Sequence, residues 1–152
     1  MGLRRKGREI AVQTLYSLEY LELNSFLREL EFLEKYPEKL EEIAADREID
    51  KDDKVFAFAD EILKGMIQNL DAVDGKITQQ STHWPLDKIA YLDKSVLRIG
   101  IYEILFTSTP DPVVMNEAIE IAKKYCSENS AKFINGVLNA ISRQKSDTAD
   151  KA

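Results

Sequence analysis

The sequence predicts an all-α protein, and three observations lead to that class. Apolar residues recur at spacings of three and four along most of the 152 residues, which is the period of one helix face. No stretch alternates apolar and polar residues as a half-buried strand would. With 44% hydrophobic residues, a chain of this length can bury a core without help from disulfides.

The first helix is predicted from a stripe of Ala11, Leu15 and Leu18. Two shorter helices, over residues 25–33 and 38–43, are expected next. We separate them at Pro37, because proline inside a helix removes a backbone hydrogen bond and crowds the preceding turn.

One long helix is predicted after Asp52 and Asp53, which suit a helix N-terminus because the helix dipole favours negative charge there. Apolar residues then keep helical spacing over about six turns. The stripe consists of Val55, Ala59, Ile62, Met66, Leu70, Val73 and Ile77.

The helical pattern breaks over residues 79–85, where Trp84-Pro85 indicates an extended connection. We therefore expect one domain over residues 1–143, made of two helical subdomains at about 1–81 and 82–143.

Three helices are predicted in the second half of the chain. Residues 92–106 are apolar on almost all sides, which is typical of a buried central helix. After a rigid link at 109–112, a helix over 117–125 is expected with Asn116 as its N-cap. The last helix covers 130–143, and residues 144–152 are predicted to be a disordered tail. The core stripe of the last helix is Ile134, Val137, Leu138 and Ile141.

Residues that could carry catalysis are sparse. His83 and Cys126 are the only histidine and cysteine, so neither a nucleophile–base pair nor a Cys-rich zinc site is available. We interpret His83 as structural and Cys126, near a helix C-terminus that raises a thiol pKa, as inert. Glu103 falls inside an apolar stripe and is interpreted as a structural carboxylate. We expect no catalytic residues, no metal and no cofactor.

The chain should be cytoplasmic, because no apolar run approaches the roughly 20 residues of a membrane span. Its formal net charge is −6, and residues 29–61 alone hold thirteen acidic and five basic residues. Against this background, four cations form a basic cluster at the start of the first helix. They are Arg4, Arg5, Lys6 and Arg8. Because positive charge opposes the helix dipole there, the basic cluster indicates a binding site for an anion.

A helical wheel places Arg5, Glu9, Gln13 and Tyr16 on one outward face, with Lys6 on its flank. Cations bind phosphates, an amide can read base edges, and a tyrosine ring can stack on an unpaired base. The face therefore indicates single-stranded RNA. The alternative is that the cations solubilise a helix end and Tyr16 packs against a neighbour.

Residues 4–16 (RRKGREIAVQTLY) resemble the opening signature of the NusB family of transcription antitermination factors. Three later segments resemble the family in order, at 92–104 (LDKSVLRIGIYEI), 116–123 (NEAIEIAK) and 132–138 (KFINGVL). The resemblance spans residues 4–141 but does not include 24–54. It implies an orthogonal bundle of about seven helices in two small subdomains.

The resemblance also implies a function. The family pairs with NusE, a small-subunit ribosomal protein, and binds single-stranded boxA RNA in nascent ribosomal RNA transcripts. With other Nus factors it joins an antitermination complex on RNA polymerase. Position by position, the basic cluster matches an arginine-rich RNA-binding motif, while Tyr16 and Asp93 match a surface for RNA and NusE. A second RNA-contacting patch is implied at Asn129, Lys132 and Phe133.

Two positions depart from the family pattern. Gly7 stands where the family more often has alanine, which weakens the first helical turn by about 0.5–1 kcal/mol. Asn129 stands where the family often has an acid, and we expect the missing negative charge to favour RNA binding.

Two other functions stay open at this point. One is a helical protein–protein adaptor without RNA binding, in which the basic cluster meets an acidic partner. The other is a relative of the N-terminal domain of ribosomal RNA cytosine methyltransferases, which would need a catalytic domain that these residues do not contain. Homodimerisation is also left open.

Overall fold

A computed structural model describes residues 2–21, 27–81 and 85–151, with side chains described through residue 147. Within these ranges the chain forms α-helices and no strand, so the predicted all-α fold is confirmed. The helices are α1 (Leu3–Leu18), α2 (Arg28–Asp46), α3 (Lys54–Gln68), α4 (Leu70–Gln80), α5 (Tyr91–Phe106), α6 (Asp111–Tyr125) and α7 (Glu128–Lys151). A short 3₁₀ helix, Leu86–Lys88, precedes α5.

The chain divides into two compact units, Met1–Leu70 and Asp71–Ala152. In the first unit α1, α2 and α3 each pack against the other two, and in the second unit α5, α6 and α7 do the same. One domain over residues 1–143, with its two subdomains meeting near residue 82, stays a prediction. The interpretations of His83 and Trp84 lie outside the described residues.

The core of the first unit contains the predicted stripe of α1, because Ala11, Leu15 and Leu18 are fully buried. A hydrogen bond of 2.8 Å from the Tyr36 hydroxyl to the Asp60 carboxylate joins α2 to α3. Burial, and then this carboxylate, raise the pKa of Tyr36, so the phenol stays protonated as the donor.

The prediction that Pro37 separates two helices is wrong, because α2 runs through it without interruption. A buried stripe crosses the proline at spacings of four, at Phe32, Tyr36, Leu40 and Ala44. Pro37 itself is exposed. Packing of that stripe on α1 and α3 outweighs the lost backbone hydrogen bond, which is a tertiary effect that local propensity does not contain. The start of the predicted helix 25–33 falls partly outside the described residues.

The buried stripe of the predicted six-turn helix is confirmed, but the structure has two helices there, α3 and α4, instead of one. All seven stripe residues are buried, and Asp53 caps α3 by accepting a hydrogen bond from the Val55 amide at 2.8 Å. The helix is interrupted at Asn69, whose side-chain amide donates to the Gly65 carbonyl at 2.8 Å. Asparagine competes for backbone hydrogen bonds in this way, which ends α3 one residue before α4 begins.

The second unit is built around α5, which is buried on almost all sides as predicted. Arg98 is completely buried and makes two hydrogen bonds to Asp74 of α4, at 2.8 and 2.9 Å. Glu103 is also buried, as its place in the apolar stripe predicted.

Helix α6 begins earlier than predicted. It starts at Asp111, and Asn116 lies inside the helix instead of capping it. The rigid link predicted at 109–112 is therefore partly helical, with Pro110 directly before α6 and Pro112 in its first turn. Proline is tolerated in a first helical turn, because the amide it lacks would have no partner there.

Helix α7 begins at Glu128 and continues past Arg143 to Lys151, through the segment expected to form a tail. Its predicted core stripe is buried. Lys145 donates hydrogen bonds to the Ile104 carbonyl at 2.9 Å and to Asp111 at 2.7 Å. These contacts attach the later turns of α7 to α5 and α6.

Candidate nucleic-acid interface

The basic cluster occupies the first two turns of α1. The helix begins at Leu3 after Gly2, which offers no side-chain cap, and its first turn holds no acidic residue. Arg4 and Lys6 are exposed, and Arg5 is half-buried. Three cations of the cluster therefore reach the surface at a helix end whose own dipole is also positive.

Arg8 differs from the other three cations, because it is only 3% exposed. Its guanidinium carbon lies 5.2 Å from the centroid of the Phe58 ring, and that of Arg4 lies 5.7 Å from the same ring. Phe58 belongs to α3, so the interior side of the basic cluster rests on an aromatic side chain from another helix. Phe58 is not among the residues predicted from the sequence, because the periodicity of one helix holds no signal for its contacts with another.

The placement of Glu9 on an outward face is wrong. Glu9 is 1% exposed, and its carboxylate accepts a hydrogen bond of 3.1 Å from Arg47, the residue after α2. A wheel drawn for α1 alone could not include this contact. The partly exposed polar face of α1 therefore holds Arg5, Gln13 and Tyr16.

Tyr16 has an aromatic neighbour that the sequence analysis missed. The Tyr16 and Tyr20 hydroxyls lie 2.6 Å apart, and their rings meet edge to face with centroids 5.1 Å apart. Tyr20 is 62% exposed, whereas Tyr16 is half-buried. The spacing of four between these tyrosines was the available signal. Together they form a partly exposed aromatic surface at the C-terminal end of α1.

The second predicted patch lies in the other unit, where α5 meets the start of α7. Asp93, Asn129 and Phe133 line one cavity of about 420 Å³. Asp93 accepts a hydrogen bond of 2.8 Å from Ser130, and the Ser130 amide donates to the Ser127 hydroxyl at 3.0 Å. These bonds fix the first turn of α7 against the first turn of α5. Asp93 thus has a structural task in addition to the surface role implied by the resemblance.

Two α7 side chains of the second patch differ in exposure. Lys132 is exposed and Phe133 is half-buried. Lys132 also borders a second cavity of about 320 Å³ with Lys123 and Asn135. A half-buried ring beside an exposed ammonium is suited to stacking on a base next to its phosphate.

Cys126 lies beside this patch and carries a raised pKa, as predicted, although the causes are different ones. Burial, and then the hydrogen bond and negative charge of Asp93, raise the pKa of the thiol to about 12. The thiol is therefore protonated at neutral pH and is a poor nucleophile or metal ligand.

Within the described part of the chain, no group of three or more His, Cys, Asp or Glu side chains could hold a metal ion. None of the helices described there combines the length and the apolar character of a membrane span.

Comparison with known proteins gives a consistent result. Residues 5–143 match the NusB family. Transcription antitermination protein NusB of Geobacter sulfurreducens is 41% identical over 143 residues, covering 93% of this chain and 94% of the relative. NusB of Citrifermentans bemidjiense is 37% identical over 150 residues, covering 97% and 99%.

Solved structures agree in fold. The structure of T. maritima NusB matches with a TM-score of 0.75 and 36% identity, covering 92% of this chain and 90% of that one. A crystal structure of antitermination factors NusB and NusE in complex with dsRNA matches with a TM-score of 0.77, covering 95% and 98%. At 24% identity, the second match shows the fold alone.

Proposed function

Because this chain belongs to the NusB family, we propose that it is an RNA-binding transcription antitermination factor of the cytoplasm. It pairs with NusE and binds single-stranded boxA RNA in nascent ribosomal RNA transcripts. With other Nus factors, the pair joins the antitermination complex on RNA polymerase. The observation that carries the proposal is the basic cluster, which exposes cations at a helix N-terminus of a protein with net charge −6.

The basic cluster supplies the phosphate contacts. Arg4, Arg5 and Lys6 reach the surface, where they neutralise phosphates and release bound counterions. Neutralisation of phosphates gives affinity for RNA without preference for a sequence. Gln13 and Tyr16 follow along the same helix, where an amide can pair with a base edge and a ring can stack on it.

The second patch supplies another stacking position. Phe133 offers a partly exposed ring beside the exposed Asn129 and Lys132. Asp93 lines the same cavity as Phe133 and Asn129, and we assign this edge to NusE as well as to RNA. Single-stranded RNA suits such a site, because its unstacked bases can turn toward side chains.

The protein acts by binding and assembly, without a catalytic step or a cofactor. The protonated state of Cys126 supports this part of the proposal, since the only thiol of the chain is not activated. Glu103 is a structural carboxylate.

The proposal is tested by titrating the full chain into labelled single-stranded boxA RNA, with and without NusE. A scrambled RNA of the same length is the control. We expect saturable binding of boxA RNA that NusE strengthens, with weaker binding of the scrambled RNA. If boxA RNA does not bind even with NusE present, the RNA-binding function is wrong and the adaptor function takes its place.

A further inference from the structure

The basic cluster has an inner face that rests on one aromatic ring. Residues 4, 7 and 8 of α1 lie at spacings of three and four, so they share one side of the helix. Phe58 of α3 packs on that side. We propose that Phe58 is a positioning residue for RNA binding, because its ring packs against both Arg8 in the interior and Arg4 at the surface. This inference rests on the proposed function.

Gly7 provides the close approach that brings Phe58 to α1. A Cβ atom at Gly7 would lie 2.6 Å from the Cδ1 atom of Phe58 and 3.2 Å from the Val55 carbonyl oxygen. The first distance is shorter than side chains tolerate, so a larger residue would displace the ring. The departure from alanine at position 7 is therefore coupled to Phe58, and it is not simply a weaker helical turn.

The Phe58 ring contacts two guanidinium groups that differ in their exposure to water. Arg8 is 3% exposed at 5.2 Å from the ring centroid, whereas Arg4 is exposed at 5.7 Å. The negative face of an aromatic ring attracts cations, and the attraction strengthens as water is excluded. The Phe58 ring therefore lies against two like charges one helical turn apart, and its attraction for each favours their positions on α1.

This arrangement divides the basic cluster by task. Arg4, Arg5 and Lys6 contact phosphates. Arg8 does not contact RNA, but it packs on the Phe58 ring and so orients the side of α1 from which Arg4 projects. An arginine is needed at position 8 because its flat guanidinium lies against a ring, which a lysine ammonium does less well.

The position of Phe58 on α3 favours this task over core filling. Val55, Ala59 and Ile62 carry the buried face of α3, while Phe58 is only half-buried. A side chain needed solely for the core would be replaceable by any apolar group of similar size. A side chain needed for its ring would not.

The test compares Phe58→Leu, Phe58→Tyr and Arg8→Lys in the full chain, with Phe56→Leu as the matched control. Phe56 is another half-buried phenylalanine of α3. Affinity for single-stranded boxA RNA with NusE present is measured over a range of salt concentrations. Melting temperature is followed in parallel, and NMR records the ring-current shifts of the Arg4 and Arg8 side-chain protons.

We expect Phe58→Leu to weaken RNA binding by about threefold to tenfold, as the loss of cation–π contacts would. The slope of log affinity against log salt should become shallower by about 0.7, which corresponds to one phosphate contact. Phe58→Tyr should keep the affinity and the salt slope of the unchanged chain, because it keeps an aromatic ring. Phe56→Leu should change neither quantity. Arg8→Lys should weaken binding although the net charge is unchanged, which keeps the proposal testable if Phe58→Leu does not fold.

The outcomes separate the two proposals. If the unchanged chain binds boxA RNA and Phe58→Leu binds it with the same affinity and slope, the positioning role is wrong and the proposed function stands. Weakened RNA binding in Phe58→Tyr as large as that in Phe58→Leu also contradicts the positioning role. If the unchanged chain binds no RNA with NusE present, the proposed function fails, and the positioning role fails with it.

Discussion

Gly7 and Gly75 are both glycines inside helices, yet their surroundings differ. A glycine in a helix interior costs about 0.5–1 kcal/mol relative to alanine. At Gly75 of α4, a Cβ atom would meet no described atom within 4 Å, whereas at Gly7 it would press on the Phe58 ring at 2.6 Å. Overfilling a packed site costs about 1–3 kcal/mol.

We therefore predict opposite signs for the same substitution. Gly75→Ala should raise the free energy of unfolding by about 0.5–1 kcal/mol. Gly7→Ala should lower it by about 1 kcal/mol, because displacement of the ring outweighs the better helix propensity. Urea denaturation of both variants measures this. Equal stabilisation by both would show that Phe58 does not press on α1.

Cys126 gives a prediction in pH. Its pKa of about 12 means that alkylation by iodoacetamide should be very slow at pH 7 in the folded chain. Because Asp93 disfavours the thiolate, Asp93→Asn should lower the thiol pKa and speed alkylation at any pH below it. Burial, the first cause, remains, so the pKa should stay above its ordinary value of about 8.5.

The raised pKa of Cys126 also makes the free energy of unfolding depend on pH. The folded chain keeps the thiol proton to higher pH than the unfolded chain does, so this stabilisation is complete below the ordinary thiol pKa. It is lost progressively between that value and about 12. Alkylation rates measured from pH 7 to 11 check the shift, and a folded-state rate equal to that of the urea-unfolded chain would contradict it.

Among the helices, α4 and α5 are joined by the Asp74–Arg98 ion pair. Arg98 is fully buried, and the side chain of Asp74 is 14% exposed. Removing one partner of a buried pair costs about 3–5 kcal/mol, because the remaining charge stays out of water. We predict a loss of this size in Asp74→Ala. The exposed Asp71 of the same helix is the control, and Asp71→Ala should cost less than about 1 kcal/mol.

Thermal unfolding of the two variants, followed by circular dichroism, measures the difference. A further variant, Asp74→Leu with Arg98→Met, should recover part of the lost stability, since apolar pairs can replace buried ion pairs. Similar melting temperatures for Asp74→Ala and Asp71→Ala would show that the pair contributes little.

At the level of helices, the sequence predicted the buried stripes well and the helix ends less well. The stripes of α1, α3, α4 and α7 follow from spacing alone, because each helix buries one face. The run of α2 through Pro37 depends on its packing against α1 and α3. The break at Asn69 depends on one side-chain hydrogen bond to Gly65. Neither effect has a period that a sequence window can detect.

At the level of the whole molecule, the fold class and the family could be predicted, because they rest on local patterns and ordered motifs. The roles inside the basic cluster could not. Arg8 and Glu9 lie one helical turn after Arg4 and Arg5, which reach the surface, but both are buried against residues far along the chain, Phe58 and Arg47. A wheel for one helix contains no information about those partners.

The uneven distribution of charge along the chain favours binding of RNA at the start of α1. Residues 29–61 carry a net charge of −8, which repels phosphates, while the start of α1 attracts them. The basic cluster thus gives an RNA strand a local region of positive charge on the first unit. RNA binding should therefore depend on these few cations and not on the total charge.

The most direct test of that claim is the salt dependence of boxA RNA affinity in two double variants of equal charge. Arg5→Ala with Lys6→Ala removes two cations of the basic cluster, and Lys35→Ala with Lys64→Ala removes two exposed cations elsewhere in the same unit. We predict that the first variant loses affinity and that its slope becomes shallower by about 1.4, for two phosphates at about 0.7 each. The second should keep the slope of the unchanged chain, and equal changes in both variants would contradict the account.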